Sequence, residues 1–377
     1  MPQEKRKAAL AGVRRIVIKI GSSVLSGPDD RIDSDRIHLI CDQVHALKSR
    51  GCTVVVVTSG AIGAGMGQLS LRARPTALPK LQAAAAVGQC KLISIYDEAF
   101  AVHGYHAAQM LLTREDFEER TRYVNARNTL WALLEMDAVP VINENDTIAI
   151  DELKFGDNDI ISSLVTHLLQ ADLLILLSDV DGLYEMKGKR KTGKLLDVVE
   201  GMNEGILSLA SDIRSKFGSG GMQSKLMAVQ RALDAGEPAI IANGAIPDIL
   251  LKLMDGEPLG TLFLPSARRM KSWKRWIGFA ARPKGHIQVD AGARNALAAG
   301  GKSLLASGIA NIKGRFGKGD VVIIEDTSGS PFARGLSNYS SEDMEKIKGR
   351  HTREFKKILG GSTFEAVVHR NNLVVLS

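Results

Sequence analysis

Residues Ala138 to Asp159 read AVPVINENDTIAIDELKFGDND and set six carboxylates, Glu144, Asp146, Asp151, Glu152, Asp157 and Asp159, against one cation, Lys154. Carboxylates gathered at a buried site repel and require protons, ammonium groups or a metal; spread over a solvated loop they cost little. The stretch opens apolar, Val139 to Ile142, and stops abruptly at Asn143-Glu144-Asn145-Asp146. That pattern is a buried strand whose carboxyl end opens into a loop, where open parallel sheets bind their ligands. The stretch therefore reads as the acidic wall of a site for a positively charged group.

Two lysines stand in places where an anion would be met. Lys19 is the one charge inside the β-branched run Ile16 to Ile20, and a lysine in a strand buried on both faces is expensive unless its ammonium reaches a polar site. Lys225 closes Phe217 to Lys225, FGSGGMQSK, a glycine run feeding the apolar helical pattern Leu226, Val229, Ala232, Leu233. Unpaired N–H groups, the helix dipole and the ammonium then point one way and suit phosphate, although GxxxxGK[ST] does not fit. Thr58 to Gly67, TSGAIGAGMG, lets backbone N–H groups approach an anion, again without the dinucleotide spacing GxGxxG.

These residues need a sheet to bring them together. Strands are predicted at Arg14 to Ile20, Cys52 to Val57, His106 to Leu112, Val139 to Ile142, Asp172 to Leu177 and Ala239 to Ala242. Helices are predicted at Asp33 to Arg50, Pro79 to His103, Glu118 to Asp137, Ile160 to Leu169 and after Lys225, with Met186 to Lys194 as a hairpin or loop. The alternation predicts a three-layer α/β sandwich around a mainly parallel sheet. Gly21 to Ser23, Ser59-Gly60, Asn143 to Asp146, Ser178-Asp179 and Asn243-Gly244 then fall on one shared edge.

From Pro265 the texture changes. PSARRMKSWKRW has five bases and no acid, and short strand-like runs follow at Ile287 to Val289, Lys302-Ser303, Val321 to Ile324, Phe332 to Leu336 and Phe364 to Val375. The expected organisation is a domain over 1–264, a linker over 265–283, a small β-rich barrel over 284–362 and a terminal strand segment over 363–377. Lys and Arg number 29 against 33 Asp and Glu in 1–264, but 20 against 9 in 265–377, so the tail is strongly basic and invites an RNA-binding reading. Cys41, Cys52 and Cys90 lack metal-ligand spacing and sit in apolar patterns, as buried thiols of a reducing compartment do. No apolar run approaches the roughly 20 residues that span a bilayer, and a cytoplasmic protein is expected.

Six segments in this order, VIKIGSSVL (17–25), VTSGAIGAG (57–65), PVINENDT (140–147), FGDND (155–159), LLSDVDGLY (176–184) and GSGGMQSK (218–225), resemble the glutamate 5-kinases of the amino acid kinase superfamily. The tail is similar to a PUA domain, and the likeness runs over residues 14–362. It implies the amino acid kinase fold, ATP as co-substrate, Mg²⁺, and L-glutamate phosphorylated on its γ-carboxylate in the first step of proline synthesis. By resemblance Lys19 and Lys225 flank the transferring phosphoryl and Asp159 holds both ammonium groups. Ser59, Gly60 and Ala61 fall near the glutamate carboxylates, and Asp146 and Asn158 near its α-ammonium. Gly21 and Ser22, Ser178 and Asp179, and Ser219, Gly220, Gly221, Met222, Gln223, Ser224 and Lys225 fall at the nucleotide, with backbone donors from Gly21 to Ser23 and from the Gly220-Gly221 turn. Ser178 stands where the family commonly has threonine. No carboxylate cluster marks a permanent metal site, which suits Mg²⁺ arriving on phosphates. The resemblance further implies proline as feedback inhibitor, transfer of product to glutamate-5-semialdehyde dehydrogenase, and a homo-oligomer. Kinases for aspartate or N-acetylglutamate are the sister readings; an acetylated amine needs no partner such as Asp146, whereas aspartate is not excluded by charge.

Overall fold

Arg15–Ile20 (β1), Thr53–Val57 (β2), Ala107–Leu112 (β3), Val139–Glu144 (β4), Leu173–Ser178 (β5), Val198–Glu200, Ala239–Asn243 and Thr261–Leu264 form one eight-stranded sheet. The computed structural model describes residues 2–27, 31–149, 157–187, 190–202, 205–206, 221–265, 274, 276–299, 301–360 and 364–376. Numbering Tyr184–Lys187 and Arg190–Leu195 as β6 and β7, and the last three strands of the large sheet as β8, β9 and β10, the order is β3-β4-β2-β1-β5-β9-β10-β8. Every pair is parallel except β9 with β10, and β6 and β7 make a separate antiparallel hairpin.

The central strands are apolar on both faces because helices cover both. Ile16, Ile18, Ile20, Val54, Val56, Ile175, Leu177 and Ile240 join one core cluster with residues of the helices Ser34–Ser49 and Leu78–Ala101. The alternate face meets the helices Asp157–Leu169 and Met222–Asp234. Side chains alternate along a strand, so Lys19 projects opposite to Ile18 and Ile20, toward the helix that begins at Asp157. Parallel pairing sets the carboxyl ends of β4, β2, β1, β5 and β9 side by side. Hydrogen bonds continue past them, from Thr58 N to Ile142 O at 2.8 Å, Gly21 N to Leu177 O at 3.0 Å and Gly244 N to Ser178 O at 2.8 Å. The shared edge expected from the five polar loops is thus a feature of the fold.

Two local expectations change, and one element is new. Ala61–Gln68 is a helix and not an open glycine loop: Gly60 precedes it with φ of +102°, and a Cβ on Gly65 would lie 1.8 Å from Ala84 O. Gly65 thereby lets this helix touch the helix Leu78–Ala101. Cys90 is exposed and Cys52 half-buried, so only Cys41 is a buried thiol. Pro2–Leu10 is a helix fastened by Arg6, which is fully buried and donates to Asp197 Oδ1 at 2.8 Å and to the carbonyls of Leu259, Asp197 and Gly260.

The chain divides into two compact units, residues 1–116 with 121–269, and 117–120 with 270–377. The second contains Gly285–Val289 (β11), Ile309–Lys313 (β12), Val321–Glu325 (β13), Pro331–Leu336 (β14) and Leu373–Val375 (β15) in the order β12-β11-β13-β14-β15. Only β11 with β13 is parallel. Lys302-Ser303 is not a strand; the adjacent Leu304 bridges to Val368. The terminal segment belongs to this sheet, because β15 pairs with β14. Ile287, Val289, Val322, Ile324, Ala333, Phe355 and Leu373 share its core.

Candidate active site

Asp159 is the centre of the site. It lies in the first turn of the helix Asp157–Leu169, is fully buried, and receives Lys19 Nζ at 2.6 Å on Oδ1 and Lys225 Nζ at 3.7 Å on Oδ2. Ser224 Oγ donates to Oδ2 at 2.7 Å. Burial by itself would raise the Asp159 pKa; the two ammonium groups and the hydrogen bonds from Lys19 and Ser224 outweigh it and hold the carboxyl below its ordinary value. Lys225 is pushed down, first by its own burial and also by Lys19, while Asp159 and Asp179 pull it back up. Among the described residues one fully buried carboxylate thus meets two ammonium groups that are each 5% exposed.

Each member arrives by a different route. Lys19 comes from β1, Asp159 from the helix packed on that face of the sheet, and Ser224 and Lys225 from the first turn of Met222–Asp234. Gly221 precedes that helix, and among the described residues no side chain caps it. Gln223 is exposed and Met222 buried. Ser219 and Gly220 lie outside the described residues, as do Asp151, Glu152 and Lys154 of the acidic stretch. Ser178 ends β5, buried, and donates to Asp179 Oδ1 at 3.0 Å; Asp179 is exposed and close enough to act on the Lys225 charge.

One expected donor is lost. The Gly21 N–H is spent on Leu177 O, because the ladder between β1 and β5 runs one residue past the strands. A Cβ at Gly21 would stand 3.2 Å from Leu177 O, closer than an ordinary contact. Ser22 opens the short helix Ser22–Leu25 beside it.

On the other side of the edge, Asn158 follows Asp157 and links the ends of β2 and β4. Its Nδ2 donates to Asn143 Oδ1 at 3.1 Å and Ser59 Oγ at 3.3 Å, and its Oδ1 accepts from Glu144 N at 3.2 Å. Ser59 is buried, with Gly60 and Ala61 leading into the helix behind it. Asp146 sits half-buried in the turn just past β4. The sequence reading set Asn143 on the shared edge without a role of its own and missed Gln89: Asn143 Nδ2 donates to Gln89 Oε1 at 2.8 Å inside the protein. Asn143 stood within the NEND run, whereas nothing but its place beside Gly88 marked Gln89.

The edge thus carries a carboxylate-bridged lysine pair at one end and a linked hydroxyl and amide pair at the other, which together suit anionic groups. The model of the amino acid kinase family matches residues 14–243, and that of the PUA domain residues 285–359. The glutamate 5-kinase of Caldanaerobacter subterraneus subsp. tengcongensis is 45% identical over 363 residues, 96% of this chain and 98% of its own. That of Syntrophotalea carbinolica is 47% identical over 371 residues, covering 98% and 99%. A solved carbamate kinase from Giardia lamblia, bound to AMP-PNP, has a TM-score of 0.49 at 16% identity, covering 68% of this chain and all of that one. Identity near one half along almost the whole length places the chain within the amino acid kinase family, among the glutamate 5-kinases, with a PUA domain after the kinase domain.

Proposed function

We infer that the protein transfers the γ-phosphoryl group of ATP to the γ-carboxylate of L-glutamate, giving γ-glutamyl phosphate and ADP as the first step of proline synthesis. The observation that carries this is the buried Lys19–Asp159–Lys225 cluster on the edge shared by five parallel strands. A γ-carboxylate oxygen forms the new P–O bond, the bond from the γ-phosphorus to the β,γ-bridging oxygen breaks, and its electron pair leaves with ADP. The attacking carboxylate is already ionised, so no proton moves and no general base is needed.

What the site supplies is charge and position. Lys19 and Lys225 neutralise the phosphoryl oxygens, and Asp159 keeps both ammonium groups charged and in place. Ser22, Gly221 and the turn after it, with Ser178 and Asp179, hold the nucleotide. Mg²⁺ would supply further neutralising charge at the nucleotide phosphates. Asp159 is taken up by two ammonium groups and the Ser224 hydroxyl, so the exposed Asp179, close to Lys225, is the described carboxylate that would hold the ion or its waters. Ser59 donates to a glutamate carboxylate alongside the Gly60-Ala61 backbone, while Asp146 and Asn158 Oδ1 take the α-ammonium.

The catalytic unit ends at Leu264, 265–283 is a linker, and the PUA domain with its terminal strand regulates or assembles the enzyme. The family likeness supports proline as inhibitor, a cytoplasmic homo-oligomer and hand-over of the labile product to glutamate-5-semialdehyde dehydrogenase. Among the described residues no helix is long and apolar enough to cross a membrane. ATP turnover with glutamate, aspartate and N-acetylglutamate tests the substrate: turnover should need glutamate, and equal or faster turnover with either analogue would overturn the choice.

A further inference from the structure

Four side chains behind the glutamate half of the site form a chain of hydrogen bonds whose direction is set at one point. The Glu144 backbone N–H can only donate, and it faces Asn143 Oδ1 at 2.9 Å and Asn158 Oδ1 at 3.2 Å. Asn143 must then turn its Nδ2 away, toward Gln89 Oε1 at 2.8 Å. Asn158 must turn its Nδ2 toward Asn143 Oδ1 and Ser59 Oγ, which uses both of its protons. Ser59 Oγ is therefore an acceptor inside the protein, and its own proton is left to be given outward, as an anionic carboxylate requires.

Gln89 closes the inner end of this chain. It is buried on the helix Leu78–Ala101, which touches the same side of the site at two more points. A Cβ on Gly88 would lie 1.8 Å from Ala61 O, and the Tyr96 hydroxyl is 2.8 Å from Thr58 Oγ1. Without the Gln89 acceptor the Asn143 amide has a buried N–H with no partner, and the Glu144 N–H alone is left to hold its Oδ1 toward Asn158. We propose that Gln89 is a positioning residue for glutamate recognition, acting through Asn143 and Asn158 to keep the Ser59 hydroxyl a donor to the substrate carboxylate. The proposal rests on the function inferred above and adds a residue with no contact to the substrate.

The test is a double-mutant cycle between Gln89→Met and Ser59→Ala, read as KM for glutamate and for ATP and as calorimetric glutamate affinity. Gln89→Met should raise KM for glutamate about five- to tenfold, the loss of one buried hydrogen bond, and leave KM for ATP within about twofold. In the Ser59→Ala background the same change should cost less than about twofold, because the hydroxyl it orients is gone. Should Gln89→Met not fold, Gln89→Asn, which withdraws the acceptor by one methylene, takes its place. Equal multiplicative losses in both backgrounds, or a matching rise in KM for ATP, would reduce Gln89 to a packing residue. Wild-type protein that neither binds nor turns over glutamate would instead overturn the functional reading, and Gln89's role with it.

Discussion

Replacing Asp159 by asparagine keeps the shape of the central side chain and removes its charge. The amide oxygen can still accept from Lys19 at 2.6 Å, but both ammonium groups lose their counter-charge, and Lys225, 3.7 Å from Oδ2, is the one whose proton is already under pressure. At an effective dielectric of about 20, a charge pair at 3.7 Å is worth about 4 kcal/mol, an upper bound that corresponds to a factor on the order of 10³. Burial and Lys19 already press the Lys225 pKa down, and Asp159 is the first group that opposes them. In Asp159→Asn the ammonium should lose its proton more readily, so the alkaline limb of kcat moves to lower pH. Near pH 8 kcat should fall about 10² to 10³-fold, comparable with losing one preorganised transition-state donor. Two buried ammonium groups without their carboxylate should also cost about 3–5 kcal/mol of stability. The assay is glutamate-dependent ADP release from pH 6 to 10, with circular dichroism to establish folding. A folded Asp159→Asn enzyme with wild-type kcat and an unmoved alkaline limb would refute the reasoning.

Lys225→Ala and Lys19→Ala should each lower kcat about 10² to 10³-fold with smaller changes in KM, and arginine at either position should not restore it, since a planar fork does not replace a compact ammonium; normal turnover in steady-state assays would remove the lysine from the mechanism. Asp146→Asn should raise KM for glutamate about ten- to a hundredfold with KM for ATP nearly unchanged, the worth of a charged hydrogen bond; equal losses would make Asp146 structural. Because the Asp159 pKa is lowered in the folded state, its stabilisation is complete above the unfolded value of about 3.9 and is lost as pH falls through the folded one. The difference in urea midpoint between wild type and Asp159→Asn should therefore shrink in acid, and a constant difference down to pH 2 would contradict that linkage. A chain ending at Leu264 should fold and keep glutamate-dependent turnover within about an order of magnitude, as expected of a tail that adds no transition-state contact; a folded but inactive truncation would assign catalytic groups, or the main function, to the PUA side.

Strands such as RIVIKI and TVVVV were legible because β-branched runs bounded by glycine or polar residues have few other outcomes, and the five polar strand ends followed from them. Lys19 and Asp159 were legible as anomalies, a cation in an apolar run and a carboxylate among carboxylates, although 140 positions separate them in the chain. The helix Ala61–Gln68 was not, because glycines that allow a backbone to approach a ligand look the same as glycines that allow it to approach another helix. Only Ala84 O and Ala61 O, supplied by tertiary packing, decide between these uses. Val198–Glu200 and Thr261–Leu264 are too short to show a period and exist by pairing with each other and with β9. Arg6 carries no local mark among the bases of MPQEKRKAALAGVRR; its partners lie beyond residue 190, a distance no local pattern spans.

Isotope transfer puts the central claim to its most direct test. Glutamate carrying ¹⁸O in both γ-carboxylate oxygens is incubated with ATP, Mg²⁺ and the protein, and hydroxylamine traps the acyl phosphate by attack at carbonyl carbon. Direct attack of the γ-carboxylate on the γ-phosphorus leaves one ¹⁸O in each phosphate released, in step with the hydroxamate formed. Phosphate without ¹⁸O, released while glutamate stays unmodified, would mean that water attacks ATP and that glutamate is at most an activator.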